Sequence, residues 1–231
     1  MIKKSENGVE WLEFQHLSQE KIGHRIYLRT GNLDFSSTNA LSKIRPLNLD
    51  KIVKGKLAHS NRVIEISSTS SNPRGFFDGM MTNIANVGLL ITHADCQSAI
   101  FYDPINHALT VVHCGWRGNV RSIYSNAITK MRRRYGTVPG NLLVGISPSL
   151  GPNNSEFVNH LIELPPSFQK HEVSKNYFNL WDIAEEELLA CGVLSNHLEI
   201  ARVCTYANSN EFYSYRRDKT TARHGTLAFL T

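Results

Sequence analysis

Four short apolar runs, VGLLIT (87–92), SAIFY (98–102), ALTVV (108–112) and NLLVGI (141–146), dominate the middle of the 231-residue chain. Each is five or six residues long and bounded by turn-forming residues, with YDPINH between the second and third. Runs of that length and setting read as buried strands. RVIEI (62–66) alternates like another strand before SSTSSNPRG breaks it, and LEIARVCTYA and GTLAFL supply two more near the C-terminus.

Two helices accompany them. Tyr124, Ala127, Ile128, Met131 and Tyr135 follow helical spacing, with Asn119 as the expected N-cap and Gly136 just past the end. Leu180, Ile183, Ala184, Leu188 and Cys191 make a second stripe, opened by Asn179 and closed by Gly192, which places Cys191 in the core. The first fifty residues are weakly patterned, and RTGNLDFSSTNALS reads as a loop. With no repeat, low-complexity tract or linker, residues 1–231 are expected to form one α+β domain around mixed β-sheet.

Composition narrows the function. Hydrophobic residues make up 41% and charged residues 19%, the balance of a folded globular chain. The opening MIKKSENGVEWLEFQ has no apolar core of a secretory signal, and the best membrane candidate, VGLLITHADCQSAIF, is interrupted by His93 and Asp95. A cytoplasmic protein with no membrane partner is expected. The net charge of +5 suits anionic ligands, whereas the one dense basic run, RRR at 132–134, fans across about 200° of a helix and reads as a solvated face. Nucleic acid is therefore not an expected partner.

The four cysteines, Cys96, Cys114, Cys191 and Cys204, contain no CxxC pair and suit core packing, metal ligation or nucleophilic chemistry. His59, Cys96 and His113 stand out as possible ligands, because Cys96 and His113 lie at strand ends, where side chains are both held and reachable. A Cys/His₂ set suits zinc and leaves a fourth position for water or substrate. The separations of 37 and 17 residues match no compact zinc motif, so histidines satisfied in the core or at the surface are the alternative. His93 and Cys114 are not expected to join the set, since residues at odd separation on an extended segment face apart.

The hexapeptide HCGWRG (113–118) turns an expected strand into an expected helix. Free N–H groups near Gly115, Gly118 and Asn119, with Arg117 beside them, would form an anion site. The alternative is that Arg117 anchors the loop. Trp116 could stack on a planar ligand or simply pack. The pattern is not a phosphate-binding P-loop.

FFDGMMTN, LITHADCQSAIFYDP and VVHCGWRGNV, in that order, resemble the ADGLIT, TADC and HAGWRG motifs of the YfiH-like family. Those are the purine nucleoside phosphorylase and adenosine deaminase enzymes formerly labelled multicopper polyphenol oxidases or laccase-domain proteins. VGISPSLGPNNSEF, LWDI, VCTY and EFYSYRRDKTTARHGTLAFL are similar to later motifs of the family, so the likeness spans about residues 76–231. The N-terminal fifty residues diverge; LAH stands where the family has QVH, Cys114 replaces an alanine, and Ala222 replaces a glycine.

The resemblance implies a four-layer α/β/β/α fold and a zinc site of His59, Cys96 and His113. It also implies purine nucleoside and phosphate as partners. Zinc would activate water to displace the amino group at C6 of adenosine, while phosphorolysis would need phosphate near C1′. Asp95 is the expected proton-transfer or orienting group, or else a hydrogen-bonding turn residue. Alternatives are a cysteine hydrolase with Cys96 as nucleophile and His113 as base, a factor that edits peptidoglycan precursors, and a non-catalytic protein with structural zinc. Copper oxidase activity is not expected, because the histidine-rich ligand sets of several copper centres are missing.

Overall fold

A computed structural model describes residues 1–44, 47–70 and 73–231; of the break after RVIEI, Ser71 and Asn72 lie outside them. The chain forms one mixed α/β domain whose strands make two six-stranded mixed sheets and a separate hairpin. The first sheet contains β1 (Ile2–Glu6), β2 (Val9–Glu13), β3 (Ile22–Tyr27), β4 (Lys51–Lys54), β7 (Val87–His93) and β14 (His224–Leu230), in the order β1-β2-β3-β14-β7-β4. The second contains β5 (Val63–Glu65), β6 (Gly79–Thr82), β8 (Gln97–Asp103), β9 (Ala108–Cys114), β10 (Leu143–Ile146) and β13 (Leu198–Ile200), in the order β13-β10-β8-β9-β6-β5. The hairpin joins β11 (Glu172–Ser174) to β12 (Tyr177–Phe178).

Side-chain alternation explains why the central strands are apolar throughout. Leu89 and Ile91 of β7 point into a core between the sheets, where they meet Ile100 of β8 and Val111 of β9. Leu90 points the other way, into a cluster with Trp11, Tyr27, Phe35, Ala40 and Ile44. Phe101 and Val112 face a third cluster, built with Ile123, Tyr124, Ala127 and Met131 of one helix and Ala184 and Leu188 of another. Strands with a core on each side have no face to give to polar residues.

Those two helices are α3 (Ile123–Tyr135) and α5 (Leu180–Ala190), separated in the chain by the single-turn α4 (His160–Glu163), and they pack on each other. The outer face of the first sheet is covered by loops and the single-turn helix α1 (Ala40–Lys43). At the start of α5 the Asn179 side chain accepts the N–H groups of Trp181 and Asp182. Gly136 and Gly192 follow the two helices with φ of +74° and +94°.

Three expectations need correction. The weakly patterned first fifty residues hold three strands, and β1 and β2 are joined through Asn7 and Gly8 at φ of +49° and +77°, the tight turn that favours this pair. Asn119 does not cap α3; it lies inside a separate five-residue helix, α2 (Trp116–Val120), and Ser122 at φ +52° separates the two. Cys191 is half-buried and packs against the edge of the core. Arg132, Arg133 and Arg134 are all solvent-exposed, and no helix among the described residues is long and apolar enough to cross a membrane.

Candidate metal centre and cavity

The β7–β8 connection, the end of β9 and the loop before β5 meet at one wall of a cavity of about 780 Å³. Three side chains converge there. The ligand-capable atoms of His59, Cys96 and His113 all lie within 4.8 Å of one another, and the two imidazole rings are 4.9 Å apart and nearly perpendicular. Among the described residues this is the one group of three or more histidine, cysteine, aspartate or glutamate side chains placed to hold a metal ion.

Asp78, in the turn into β6, organises the group. One carboxylate oxygen lies 3.0 Å from Nδ1 of His113 and accepts the backbone N–H of His59 at 2.9 Å. The other accepts both the N–H and the hydroxyl of Ser60, each at 2.7 Å. Burial alone would raise the Asp78 carboxyl, but the hydrogen bonds from His113 and Ser60 hold it well below the usual carboxylate range. With Nδ1 occupied, His113 has Nε2 left for a ligand, as second-layer carboxylates arrange in metal sites.

The donors fit a metal. Burial opposes charge on Cys96, yet His113 and His59 beside it bring its thiol below the ordinary range. Burial likewise opposes a charged His113, but Cys96 and Asp78 outweigh it and raise the imidazole. A thiolate pressed against two imidazoles is a donor set that a soft or borderline divalent cation would hold without the extra proton. Gly115 completes the cradle, since a Cβ there would stand 2.9 Å from Sγ of Cys96 and 3.1 Å from Cδ2 of His59.

Neither neighbour intrudes. The His93 ring turns to the Cys96 carbonyl at 3.0 Å and the Thr226 hydroxyl at 2.8 Å. Cys114 faces the helical side of its sheet, where burial pushes its thiol up.

Asp95 lines the cavity at φ +75°, with one carboxylate oxygen accepting the Thr205 hydroxyl at 2.8 Å and the other the Arg216 N–H at 2.6 Å. Gly115, Trp116 and Arg117 also line it. The Trp116 ring meets Phe157 edge-on at 6.0 Å and carries the exposed Arg117 guanidinium 4.2 Å from its centre.

Gly118 and Asn119 differ from expectation. Their N–H groups donate to the Gly115 carbonyl at 2.7 and 3.1 Å, so they are not free for an anion. Both residues are buried behind the corner, where a Cβ on Gly118 would reach 3.0 Å from Sγ of Cys114. The turn of α2 closes on itself because its first carbonyl captures these amides.

Sequence reasoning passed over Asp78, although FFDGMM was in view, because an aspartate before glycine reads as turn chemistry. It also passed over Tyr215 and three cations that bring further positive charge to the cavity wall, Arg216, Lys219 and Arg223.

A family model described as multi-copper polyphenol oxidoreductase laccase matches residues 36–231. A purine nucleoside phosphorylase of Bacteroides thetaiotaomicron is 32% identical over 149 residues, covering 61% of this chain and 55% of that protein. The purine nucleoside phosphorylase YlmD of Bacillus subtilis is 29% identical over 151 residues, covering 62% and 54%. The match thus spans little more than half the length of these relatives. Two solved structures share the fold. The YfiH hypothetical protein of Bacillus licheniformis superposes with a TM-score of 0.85 at 18% identity, over 99% of both chains. YlmD from Geobacillus stearothermophilus does so with 0.84 at 21%, over 99% of this chain and 98% of that one.

Proposed function

The chain belongs to the multi-copper polyphenol oxidoreductase laccase family, and from that premise we propose that it is a zinc-dependent purine nucleoside enzyme of the cytoplasm. Its reactions are phosphorolysis of adenosine, inosine or methylthioadenosine, and deamination of adenosine. The observation that carries this reading is the convergence of His59, Cys96 and His113 on the wall of a cavity large enough for a nucleoside. The phosphorylase names of the sequence relatives support the substrate class.

One N₂S donor set favours a single tetrahedral zinc, with a position left for water or substrate, over a chain of copper centres, which would need more histidines. When bound, the ion supplies a Lewis acid for an oxygen of substrate or water.

The chain's own groups do the rest. Asp78 fixes the His113 tautomer and the His59 backbone. Trp116, Phe157 and Leu180 offer apolar surface to a purine ring. Asp95 serves as a positioning group, its two oxygens tying Thr205 and Arg216 to the rim. In phosphorolysis a phosphate oxygen bonds to C1′ as the C1′–N9 bond breaks, and its electron pair leaves with the purine, which gains a proton. In deamination water adds at C6 and ammonia departs.

The test is a product screen of adenosine, inosine and methylthioadenosine with and without phosphate. Free base and ribose 1-phosphate formed only with phosphate, and inosine formed from adenosine without it, are the expected products. No turnover of any nucleoside would overturn the reading.

A second reading has one observation in its favour. Without metal, the lowered Cys96 thiol beside the raised His113 imidazole is the ion pair of a cysteine nucleophile. It requires activity that survives chelation and is lost on alkylation.

A further inference from the structure

The cavity wall contributed by residues 215–223 carries two cations, Lys219 and Arg223, that form no ion pair among the described residues. It begins with α6 (Tyr215–Asp218), whose Tyr215 is 52% exposed. Lys219 Nζ stands 5.4 Å from the centre of the Tyr215 ring, and the Arg223 guanidinium carbon stands 5.9 Å from the same centre. All three residues line the cavity.

Among the described residues no carboxylate lies within ion-pair distance of the Lys219 or Arg223 side chain. Their neighbour Arg217 shows the contrast, because its guanidinium grips both oxygens of Asp218, at 2.8 and 2.7 Å. Arg223 is instead held by carbonyls, with Nη1 donating to Thr220 at 3.0 Å and Ala222 at 2.8 Å. Such contacts fix the guanidinium without neutralising it. The Asp34 carboxylate nearby takes the Arg223 backbone N–H at 2.9 Å, together with the N–H and hydroxyl of Ser36.

The acid on the cavity wall, Asp95, has each oxygen engaged by Thr205 or Arg216. Lys219 also has φ +52°, in the left-handed region where a lysine is strained and glycine is at ease. That backbone conformation caps α6, with the Lys219 N–H on the Tyr215 carbonyl, and it leaves two cations against one tyrosine ring, both lining the cavity and neither paired with a carboxylate among the described residues.

We propose that Tyr215, Lys219 and Arg223 form a subsite for a phosphoryl anion. The ammonium and the guanidinium supply the charge-assisted hydrogen bonds, and the phenol ring supports both cations from the side. The anion is either inorganic phosphate or a phosphate group carried by the nucleoside. The subsite deepens the nucleoside reading above and rests on it for its place in a reaction, but anion binding is measured with no nucleoside turnover.

The experiment is calorimetric titration of inorganic phosphate, adenosine and adenosine 5′-monophosphate into the zinc-supplemented wild-type protein, Lys219→Gly and Arg223→Gln, with melting temperatures alongside. Lys219→Gly removes the charge at a backbone position that suits glycine, so its melting temperature should hold or rise. The expected result is saturable phosphate binding by the wild type, with a Kd raised about tenfold in each variant, equal to about 1.4 kcal/mol. Should adenosine 5′-monophosphate instead bind more tightly than adenosine, with the same dependence on both cations, the anion is the nucleotide's own phosphate and the subsite stands. If Arg223→Gln is unstable, Lys219→Gly decides.

No saturable binding of either anion by the wild type, or an unchanged Kd in folded Lys219→Gly, would overturn the subsite. Phosphate binding that depends on these residues in a protein that turns over no nucleoside would keep the subsite and sink the nucleoside reading.

Discussion

The Asp78 carboxylate lies 3.0 Å from Nδ1 of His113, and the oxygen that makes this contact also accepts the backbone N–H of His59 at 2.9 Å. One buried acid thereby orients the His113 imidazole and pins the backbone that carries His59. Asp78→Asn keeps the shape but exchanges a charged acceptor for an amide that must also donate. Metal affinity should fall about 10- to 100-fold, as it does when such outer partners are lost. Competition with a chromophoric chelator reads this out; wild-type affinity in the variant would contradict the assignment.

The two cysteines at the site should behave oppositely. Cys96 shares the cluster with both histidines, whereas Cys114 lies in the core on the far side of β9. Cys96→Ser should lose most bound metal, and Cys114→Ala should retain it. Elemental analysis of the purified variants distinguishes them, and metal loss confined to Cys114→Ala would mean that the wrong sulfur was chosen.

Gly115→Ala tests the cradle from another direction. Its Cβ would enter within 2.9 Å of Sγ of Cys96 and 3.1 Å of Cδ2 of His59, both closer than side chains ordinarily approach. Metal affinity should drop about tenfold or more, with a smaller fall in the melting temperature of the metal-free protein, because the clash falls on the ligands and not on the core. Equal metal affinity would show that the ligands have room to spare.

These sites differ in how far the sequence discloses them. Strands β7, β8 and β9 were legible because each has a core on both faces and so reads as an unbroken apolar run. Strand β1, IKKSE, is an edge strand with four exposed residues, and its charges hide it. Asn7-Gly8 was its one local signal. Cys96 and His113 could be found because they sit at the ends of legible strands. His59 stood out by residue type alone, since its loop has no periodic pattern, and the family likeness selects it as well, whereas Asp78 was disguised as a turn residue. The false cap at Asn119 arose because pattern alone cannot show the Gly115 carbonyl capturing two amides and closing a separate short helix. Lys219 and Arg223 reach one tyrosine through a left-handed turn that composition does not encode.

Glu187 on α5 gives a pH signature away from the cavity. Burial raises its carboxyl from 4.5 to about 7, against the opposing pull of the Ser125 and Tyr124 N–H groups. The folded state therefore holds a proton that the unfolded chain releases, and stability falls as pH rises from about 4.5 to 7. Above that window the cost amounts to as much as ~3 kcal/mol. Glu187→Gln can still accept the Ser125 N–H while removing the buried charge. Its melting temperature should exceed wild type at pH 8 and approach it at pH 4, and a constant difference between the two pH values would contradict the burial argument.

The central claim is that His59, Cys96 and His113 hold an ion on which nucleoside turnover depends. Its most direct test is inosine phosphorolysis by the same protein as purified, after complete chelation, and after zinc is returned. The account predicts turnover that disappears with the metal and recovers with about one zinc per chain. Sustained turnover by the fully demetallated protein would contradict it.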